Sequence, residues 1–226
     1  FQHLYKSKGF YHTEVTPEPT YPKPEKVNVH FVIEEGQKVY IKEIRFAGNE
    51  SFKDSKLEKV MGTKEKGLLS LINDSGVLKR ELLEQDAARI TGFYHHHGYI
   101  EAMVGKPEVT QEGKWLYITI EISEGNRYRV GNIDFSGDLI GGKEELLSLL
   151  EISREEYLSR NILRQDILNI NDFYAENGYA FAEATPTVNT DKENKLVDIN
   201  IHINKGDLVY INRITIKGNI RTSDKV

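Results

Sequence analysis

Three copies of one short pattern divide this chain into repeated units. Each copy has a helix end of the form Tyr-x-x-x-Gly-aromatic, then a strand end with glycine, then a Gly-Asn or Gly-Asp turn. The strand-end glycine follows the tyrosine by 31 or 32 residues and precedes the turn glycine by 12. Because the landmarks keep their order in every copy, a repeat architecture is the strongest constraint on the fold. The copies are residues 4–10, 35–36 and 48–49; residues 93–99, 124–125 and 137–138; and residues 173–179, 205–206 and 218–219.

The strands of one unit can be predicted from alternation. Apolar and polar residues alternate over about 38–47, with one slip at Lys42-Glu43, and alternate cleanly over 115–123. Side chains on a strand point to opposite faces in turn, so both segments are expected to be half-buried strands. Residues 111–114 supply a hairpin turn, which predicts a further strand over about 100–110.

Two helices are expected between the first strand and the hairpin. Apolar residues at helical spacing predict a short helix over 53–61, with Ser51 or Asp54 as its cap, and a longer helix over 79–96. Gly98 is expected to end the long helix in the left-handed conformation that glycine adopts at little cost. The order of elements in one unit is therefore βααββ.

The next copy predicts strands at 128–136, 180–189 and 195–204 and helices at 142–150 and 159–177. We expect an α+β fold of tandem modules, each a three-stranded mixed sheet covered by two antiparallel helices. The copy before it is longer by an extra loop around residues 64–67 and 73–76. The expected division is 1–36, the end of one module; 37–125 and 126–206, two whole modules; and 207–226, the first strand and turn of another.

Composition limits the classes of function. The 226 residues include no cysteine, 30 basic and 35 acidic side chains, and a formal net charge of -5. The missing thiols exclude disulfides, thiolate metal sites and cysteine nucleophiles. Mild acidity without a basic stripe argues against nucleic-acid binding. The sequence contains no run of about 18 apolar residues, so no membrane-spanning helix is predicted.

The βααββ order, the Tyr-x-x-x-Gly-Tyr helix end, the Glu-Gly strand end and the Gly-Asn turn resemble POTRA domains. These domains precede the outer-membrane β-barrel in BamA-type assembly factors. The two whole modules look like the third and fourth of a five-module protein, preceded by the end of the second and followed by the start of the fifth. Two residues depart from the pattern, because Lys205 replaces an acidic residue and Asp138 replaces asparagine.

The resemblance implies a scaffold at the periplasmic face of a Gram-negative outer membrane. Its implied partners are unfolded outer-membrane β-barrel precursors and accessory lipoproteins, with periplasmic chaperones also possible, and a membrane β-barrel is expected later in the same polypeptide. No cofactor is implied. A rigid structural spacer, or the POTRA region of a related translocation or two-partner secretion transporter, are alternative interpretations.

The candidate binding residues are those expected at an open sheet edge. In a βααββ module the last strand can pair with both others, which leaves the second strand at the edge. An edge strand offers unpaired N–H and C=O groups to another extended chain. In the alternative interpretation Glu101, Lys106 and Pro107 guard this edge against such pairing. The candidate edge residues are Ile100, Glu101, Ala102, Met103, Val104 and Gly105 in one module and Ala180, Phe181, Ala182, Glu183, Ala184 and Thr185 in the next.

The connections between modules are the second candidate feature. Gly125-Asn126 and Gly206-Asp207 join modules with almost no linker, so they are predicted either to act as hinges or to form rigid elbows.

Residues that could suggest chemistry are better explained by the repeat. Consecutive helical residues point about 100° apart, so His95, His96 and His97 cannot converge on one metal ion. The glycine-rich segment 137–142 lacks the spacing of a phosphate-binding loop and falls on the repeated turn. No nucleophile and base can be paired. We expect neither catalysis nor a metal site.

Overall fold

A computed structural model describes residues 2–23, 25–67 and 75–213. The chain divides into two compact units, Phe1–Arg127 and Tyr128–Val226, and each is described by itself. Part of the extra loop and most of the expected further module, from 214 onward, lie outside the described residues. Residues 208–213 are described and form no regular element. Within the described ranges, no helix is both long and apolar enough to cross a bilayer.

The N-terminal unit combines a helix and hairpin with one whole βααββ module. Its order follows the prediction, except that the second strand of the module is split in two. The elements are α1 (Gln2–Ser7), β1 (Glu14–Lys23), β2 (Lys26–Glu34), β3 (Tyr40–Ala47), α2 (Asp54–Val60), α3 (Arg80–His96), β4 (Met103–Val104), β5 (Glu108–Glu112) and β6 (Trp115–Ser123).

Strand β6 lies in the middle of the module's sheet, as predicted. It pairs in parallel with β3 and antiparallel with β4 and β5. The alternation slip at Lys42-Glu43 is a β-bulge, because the register of β3 against β6 shifts between Ile41 and Glu43. The helices cover one face, where Leu57, Ile90 and Tyr94 are fully buried.

The C-terminal unit repeats this arrangement with an unbroken second strand. Strand β9 is central, parallel to β7 and antiparallel to β8, and a register shift between Val130 and Ile133 matches the bulge of β3. The elements are β7 (Arg129–Gly137), α4 (Lys143–Ser148), a 3-10 turn (Ile152–Arg154), α5 (Arg160–Glu176), β8 (Glu183–Asp191) and β9 (Leu196–Asn204).

A buried aspartate joins the two helices in each module, and the sequence patterns did not reveal it. Asp86 of α3 accepts hydrogen bonds from the amides of Gly62 and Thr63, at 2.6 and 2.8 Å. Asp166 of α5 accepts from the amides of Glu151 and Ile152, both at 2.9 Å. Both aspartates are fully buried. Each one satisfies two backbone donors just after the short helix, and one donor of each pair belongs to a buried residue, Thr63 or Ile152.

The predicted start of the second strand was wrong in both modules. Residues 100–101 and 180–181 are turns and residues 102 and 182 are irregular. Residues Ile100, Glu101, Ala102, Ala180, Phe181 and Ala182 therefore lie before the strands. The physical reason is the way the helix ends. The amide of Tyr99 bonds back to the carbonyl of Tyr94, and the amide of Ala102 then bonds to the carbonyl of Tyr99, so strand pairing begins only at residue 103.

The predicted cap of α2 was also wrong. Lys53 occupies the N-cap position and makes no side-chain cap bond. Ser51 donates instead to the carboxylate of Glu124, and the carboxylate of Asp54 accepts from the side-chain amide of Asn49. Both candidates therefore serve the Gly48-Asn49 turn and the module end rather than the first turn of the helix.

Candidate binding edges of the two sheets

The outer edge of the first strand is covered near its beginning in both modules. In β3, the amide of Ile41 donates to Gly76 O at 2.7 Å and its carbonyl accepts from Lys66 N at 2.9 Å. The Glu65 carboxylate accepts from the amide of Ile44 at 2.8 Å. The described part of the extra loop thus covers the first half of this edge, from Ile41 to Ile44.

The C-terminal unit covers the same edge with a shorter segment. The amide of Val130 donates to Glu156 O and the amide of Leu158 donates to Tyr128 O, both at 3.1 Å. An isolated bridge pairs Arg129 with Tyr157. With the last strand central and the beginning of the first strand covered, the second strand carries the other edge of each sheet.

Hydrogen-bond alternation shows which groups of β5 point outward. The amide of Tyr40 bonds to Lys114 O and the amide of Gly105 bonds to Glu121 O, so even residues of β6 face β3 and odd residues face the second strand. Opposite even residues of β6 lie Val104, Val109 and Gln111. Their backbone groups therefore point away from the sheet.

The edge of the N-terminal unit is interrupted in its middle. Val104 pairs with Ile122 and Glu108 pairs with Thr119, so the second strand has one residue more than β6 in this interval. Pro107 lies in the interval and has no N–H to offer. The kink divides the edge into a short piece at 103–104 and a longer one at 108–112. This agrees with a guarding role for Lys106 and Pro107.

The edge of the C-terminal unit is continuous but partly closed. Nine consecutive pairs join β8 to β9, from Glu183↔Asn204 to Asp191↔Leu196. The amides of Arg129 and Asp138 bond to the carbonyls of Lys195, just before β9, and Ile203, in β9. Odd residues of β9 therefore face β7, which leaves even residues of β8 pointing outward. These are Ala184, Pro186, Val188 and Thr190.

Two of these four outward positions offer no free donor. The amide of Ala184 donates to the side-chain oxygen of Asn171 on α5 at 2.9 Å, and proline at 186 has no N–H. The candidate residues Glu183, Ala184 and Thr185 are therefore in the strand but on its closed part. The open part carries Val188 and Thr190, which are not among the residues predicted from the sequence.

The two modules differ at the residue that closes the edge. Counting from the tyrosines at 94 and 174, the position of Asn171 is held by Thr91 in the N-terminal unit. The hydroxyl of Thr91 donates to the carbonyl of Ala87 at 2.9 Å. Val104, which matches Ala184, is thus left without such a cap. Val109 and Gln111 match Val188 and Thr190 in register.

At the first junction, the carboxylate before the predicted hinge is held by two residues. Glu124 accepts from the hydroxyl of Tyr94 at 2.8 Å, from the amide of Ser51 at 2.9 Å and from its hydroxyl at 2.5 Å. The Tyr99 hydroxyl donates to Ser51 Oγ at 2.7 Å. Burial, and then the bond to Glu124, raises the pKa of Tyr94.

The residue after the first junction is held as well. Arg127 Nε donates to the carbonyl of His97 at 2.8 Å, and its guanidinium lies 5.8 Å from the Tyr99 ring centre. Gly125 adopts a φ of 66°. The predicted hinge Gly125-Asn126 therefore lies between two anchored residues.

At the second junction a basic residue takes the place of the acidic residue of the first junction. Lys205 stands where the first module has Glu124, and its amide donates to the carboxylate of Asp138 at 3.3 Å. Its ammonium lies 5.3 Å from the Tyr179 ring centre. The hydroxyl of Tyr174 donates to the Asp138 carbonyl at 2.9 Å. The two departures from the family pattern are thus neighbours, and they precede the second predicted hinge, Gly206-Asp207.

The three histidines serve separate contacts. His95 Nε2 lies 3.3 Å from the carbonyl of Ala102, and His97 Nδ1 lies 2.7 Å from the carbonyl of Phe93. The rings of His96 and His97 meet edge to face, 5.3 Å between centres. Among the described residues, no group of three or more histidine, aspartate or glutamate side chains is arranged to hold a metal ion.

Comparison with known proteins places these modules among named relatives. The chain is 34% identical over 228 residues to the outer membrane protein assembly factor BamA of Nitratidesulfovibrio vulgaris, covering 99% of this chain and 29% of that protein. It is 30% identical over 225 residues to BamA of Neisseria meningitidis, covering 98% of this chain and 28% of that one. The chain thus spans less than a third of the length of these relatives.

Solved structures share the fold. The crystal structure of Haemophilus influenzae BamA POTRA3-5 matches with a TM-score of 0.61 at 24% identity, covering 82% of this chain and 74% of that one. A BamA structure from Haemophilus ducreyi lacking POTRA domains 1-3 matches with a TM-score of 0.55 at 20% identity, covering 73% of this chain and 29% of that one. The family model for POTRA, described as the surface antigen variable number repeat, matches residues 39–125 and 128–206. The chain therefore belongs to the POTRA family.

Proposed function

We propose that this chain is part of the periplasmic scaffold of an outer-membrane protein assembly factor and binds unfolded β-barrel precursors by strand addition. The observation that carries the proposal is the pattern of closed and open edges. In each sheet a connecting segment covers the beginning of the first strand, whereas the second strand keeps two adjacent outward positions open. The relatives' name, outer membrane protein assembly factor, supports the same function.

The binding segments we propose lie later in each second strand than the segments predicted from the sequence. They are 108–112, with Val109 and Gln111 pointing outward, and 187–191, with Val188 and Thr190 pointing outward. Met103 and Val104 form a short additional piece in the N-terminal unit. Main-chain bonds to these positions need no particular client sequence, which suits a protein that handles many β-rich chains.

The wider setting is also a proposal. We place the two whole modules as the third and fourth POTRA domains of a BamA-type protein, an order supported by the fold match to POTRA3-5 of Haemophilus influenzae BamA. Accessory lipoproteins and periplasmic chaperones are further proposed partners. The scaffold function includes no catalytic step.

Titration by NMR with peptides taken from outer-membrane β-strands tests strand addition. Shift changes are expected at residues 108–112 and 187–191. Replacing Val188→Pro removes one outward N–H without touching the ladder to β9, so the affinity at that edge should fall about three- to tenfold. Val188→Thr keeps the N–H and is the matched control. Equal binding by both variants, or no shift changes with folded protein, would contradict the proposal.

A structural spacer is the second candidate function. The bonds of Glu124 and Arg127 on either side of Gly125 favour it, because they restrain the residues around the first junction. Small-angle scattering can separate the two interpretations of this junction. A spacer predicts that Glu124→Ala together with Arg127→Ala broadens the distribution of chain dimensions, whereas a natural hinge predicts little change.

A further inference from the structure

Three lysines form a stripe along the short helix α2. Lys53, Lys56 and Lys59 are exposed and spaced three residues apart, which places them on one helix face. They line an open groove of about 460 Å³ together with Ser51, Phe52 and Ser55. This surface, the lysine groove, is separate from the strand edges of the proposed function.

No carboxylate of the described residues forms an ion pair with these lysines. Asp54, which follows Lys53, is engaged with the side-chain amide of Asn49 at 2.7 Å. Like charges three residues apart on a helix repel and weaken it. Ion pairs among the described residues therefore do not explain the stripe.

The second module shows that the fold does not need the lysines. Counting from the turn glycines at 48 and 137, the matching positions are Gly142, Glu145 and Ser148. The buried residue of the helix is the same in both modules, since Leu57 and Leu146 are both fully buried. The second module keeps the leucine but has no lysine at the three matching positions, which points to a role of the stripe outside the fold.

Aromatic side chains form one side of the lysine groove. The ammonium of Lys56 lies 5.0 Å from the ring centre of Phe52 and 5.7 Å from that of Phe93. Phe52 also meets the ring of His97 at 5.1 Å. The pKa of His97 lies below its ordinary value, mainly through burial, with contributions from His96, Lys56 and Arg127. The groove thus combines positive charge with a half-buried apolar surface.

We propose that the lysine groove docks an acidic helical segment of a partner protein. With a rise of about 1.5 Å per residue, the stripe extends over roughly 9 Å. Carboxylates that repeat every three or four residues along a helix match this length and spacing. Lysine suits such pairing because its charge is compact and its stem is flexible.

Two other occupants fit the groove less well. A helix that lies on a membrane needs an exposed apolar face, whereas α2 turns Leu57 into the core. A bound phosphate would be expected to use backbone donors, but the nearby amide of Ser51 is already taken by Glu124. Both remain outcomes of the test.

The probe is an alanine-rich helical peptide of about 15 residues, with glutamates every three or four residues along one face. NMR titration of the full chain at low salt should shift the amides of residues 52–59. Neutralising Lys53→Gln, Lys56→Gln and Lys59→Gln together should weaken binding about tenfold, and added salt should weaken it further.

Three controls keep the proposal testable. The variant Lys8→Gln, Lys26→Gln, Lys106→Gln has the same net charge and should bind the peptide as the unchanged chain does. The same peptide with glutamine for glutamate should not bind. Equal binding by the two charge-matched variants would overturn the proposal. So would the absence of peptide binding, whether the chain then binds phosphatidylglycerol vesicles, inorganic phosphate or neither.

Discussion

The hydroxyl of Tyr94 donates a hydrogen bond of 2.8 Å to the carboxylate of Glu124. This bond joins the end of the long helix α3 to the residue that follows the central strand β6. The repeated tyrosine is therefore both a core residue, fully buried, and a clamp on the end of its module. In the second module Tyr174 bonds instead to the backbone of Asp138, because lysine replaces the glutamate.

Alkaline pH should weaken the N-terminal unit. Burial raises the pKa of Tyr94 above its ordinary value of 10.0, so the folded state retains this proton more strongly than the unfolded state does. The stabilising contribution is complete below pH 10.0 and falls as the pH rises beyond it. Urea unfolding from pH 8 to 11 should show this decline.

The variant Tyr94→Phe isolates the contribution of this hydroxyl. Tyr11 and Tyr174 also have raised pKa values, again mainly through burial, so part of the alkaline decline should remain. The slope of stability against pH should nevertheless become shallower in the variant. An unchanged slope would show that Tyr94 does not contribute to it.

Asp86 should be among the most sensitive polar residues. Replacing Asp86→Ala leaves the amides of Gly62 and Thr63 without their acceptor, so the free energy of unfolding should fall by about 2–4 kcal/mol. Chemical denaturation measures the loss. Glu84→Ala, at an exposed position of the same helix, is the control and should change stability by less than about 0.5 kcal/mol.

Two glycines of the first module should respond to alanine with opposite signs. Gly48 has a φ of 85°, and an added Cβ would lie 2.1 Å from the carbonyl oxygen of Ile122. Gly48→Ala should cost at least about 2 kcal/mol. Gly92 lies within α3 with open space around it, so Gly92→Ala should stabilise by up to about 1 kcal/mol. Thermal unfolding of both variants measures these two changes in stability.

The bond between Asn171 and Ala184 should determine whether the outward amide of Ala184 is available to another chain. In Asn171→Ala the amide of Ala184 loses its acceptor, and its hydrogen exchange should become several-fold faster. Asn169→Ala changes the same residue type on the same helix and should leave this exchange rate unaltered. If both variants exchange alike, the side chain of Asn171 does not close the edge.

Periodicity was sufficient to predict the order of elements and the central position of the last strand. The bulge at Lys42-Glu43 was also visible in the sequence, as a slip in the alternation. Local hydrogen bonds determine where the second strand begins, which periodicity could not predict. The turn after Gly98 uses residues 99–102 before pairing starts at Met103, so the second strand begins later than its apolar residues suggest.

The edge itself depends on contacts between residues distant in sequence. Asn171 closes one outward position and the loop residues Lys66 and Gly76 close another edge, and no spacing rule indicates either contact. The alternation in β8 was visible, but which half of its backbone groups faces outward follows only from its pairing with β9. For this reason the open positions Val109, Gln111, Val188 and Thr190 could be found only in the structure.

The most direct test of strand addition is hydrogen exchange at single amides, with and without a β-strand peptide from an outer-membrane protein. The account predicts slower exchange at Val109, Gln111, Val188 and Thr190 when the peptide binds. The amide of Ala184, already bonded to Asn171, should change little. Unchanged exchange at all four outward amides under conditions where the peptide binds, or new protection on β3 and β7 instead, would contradict the central claim.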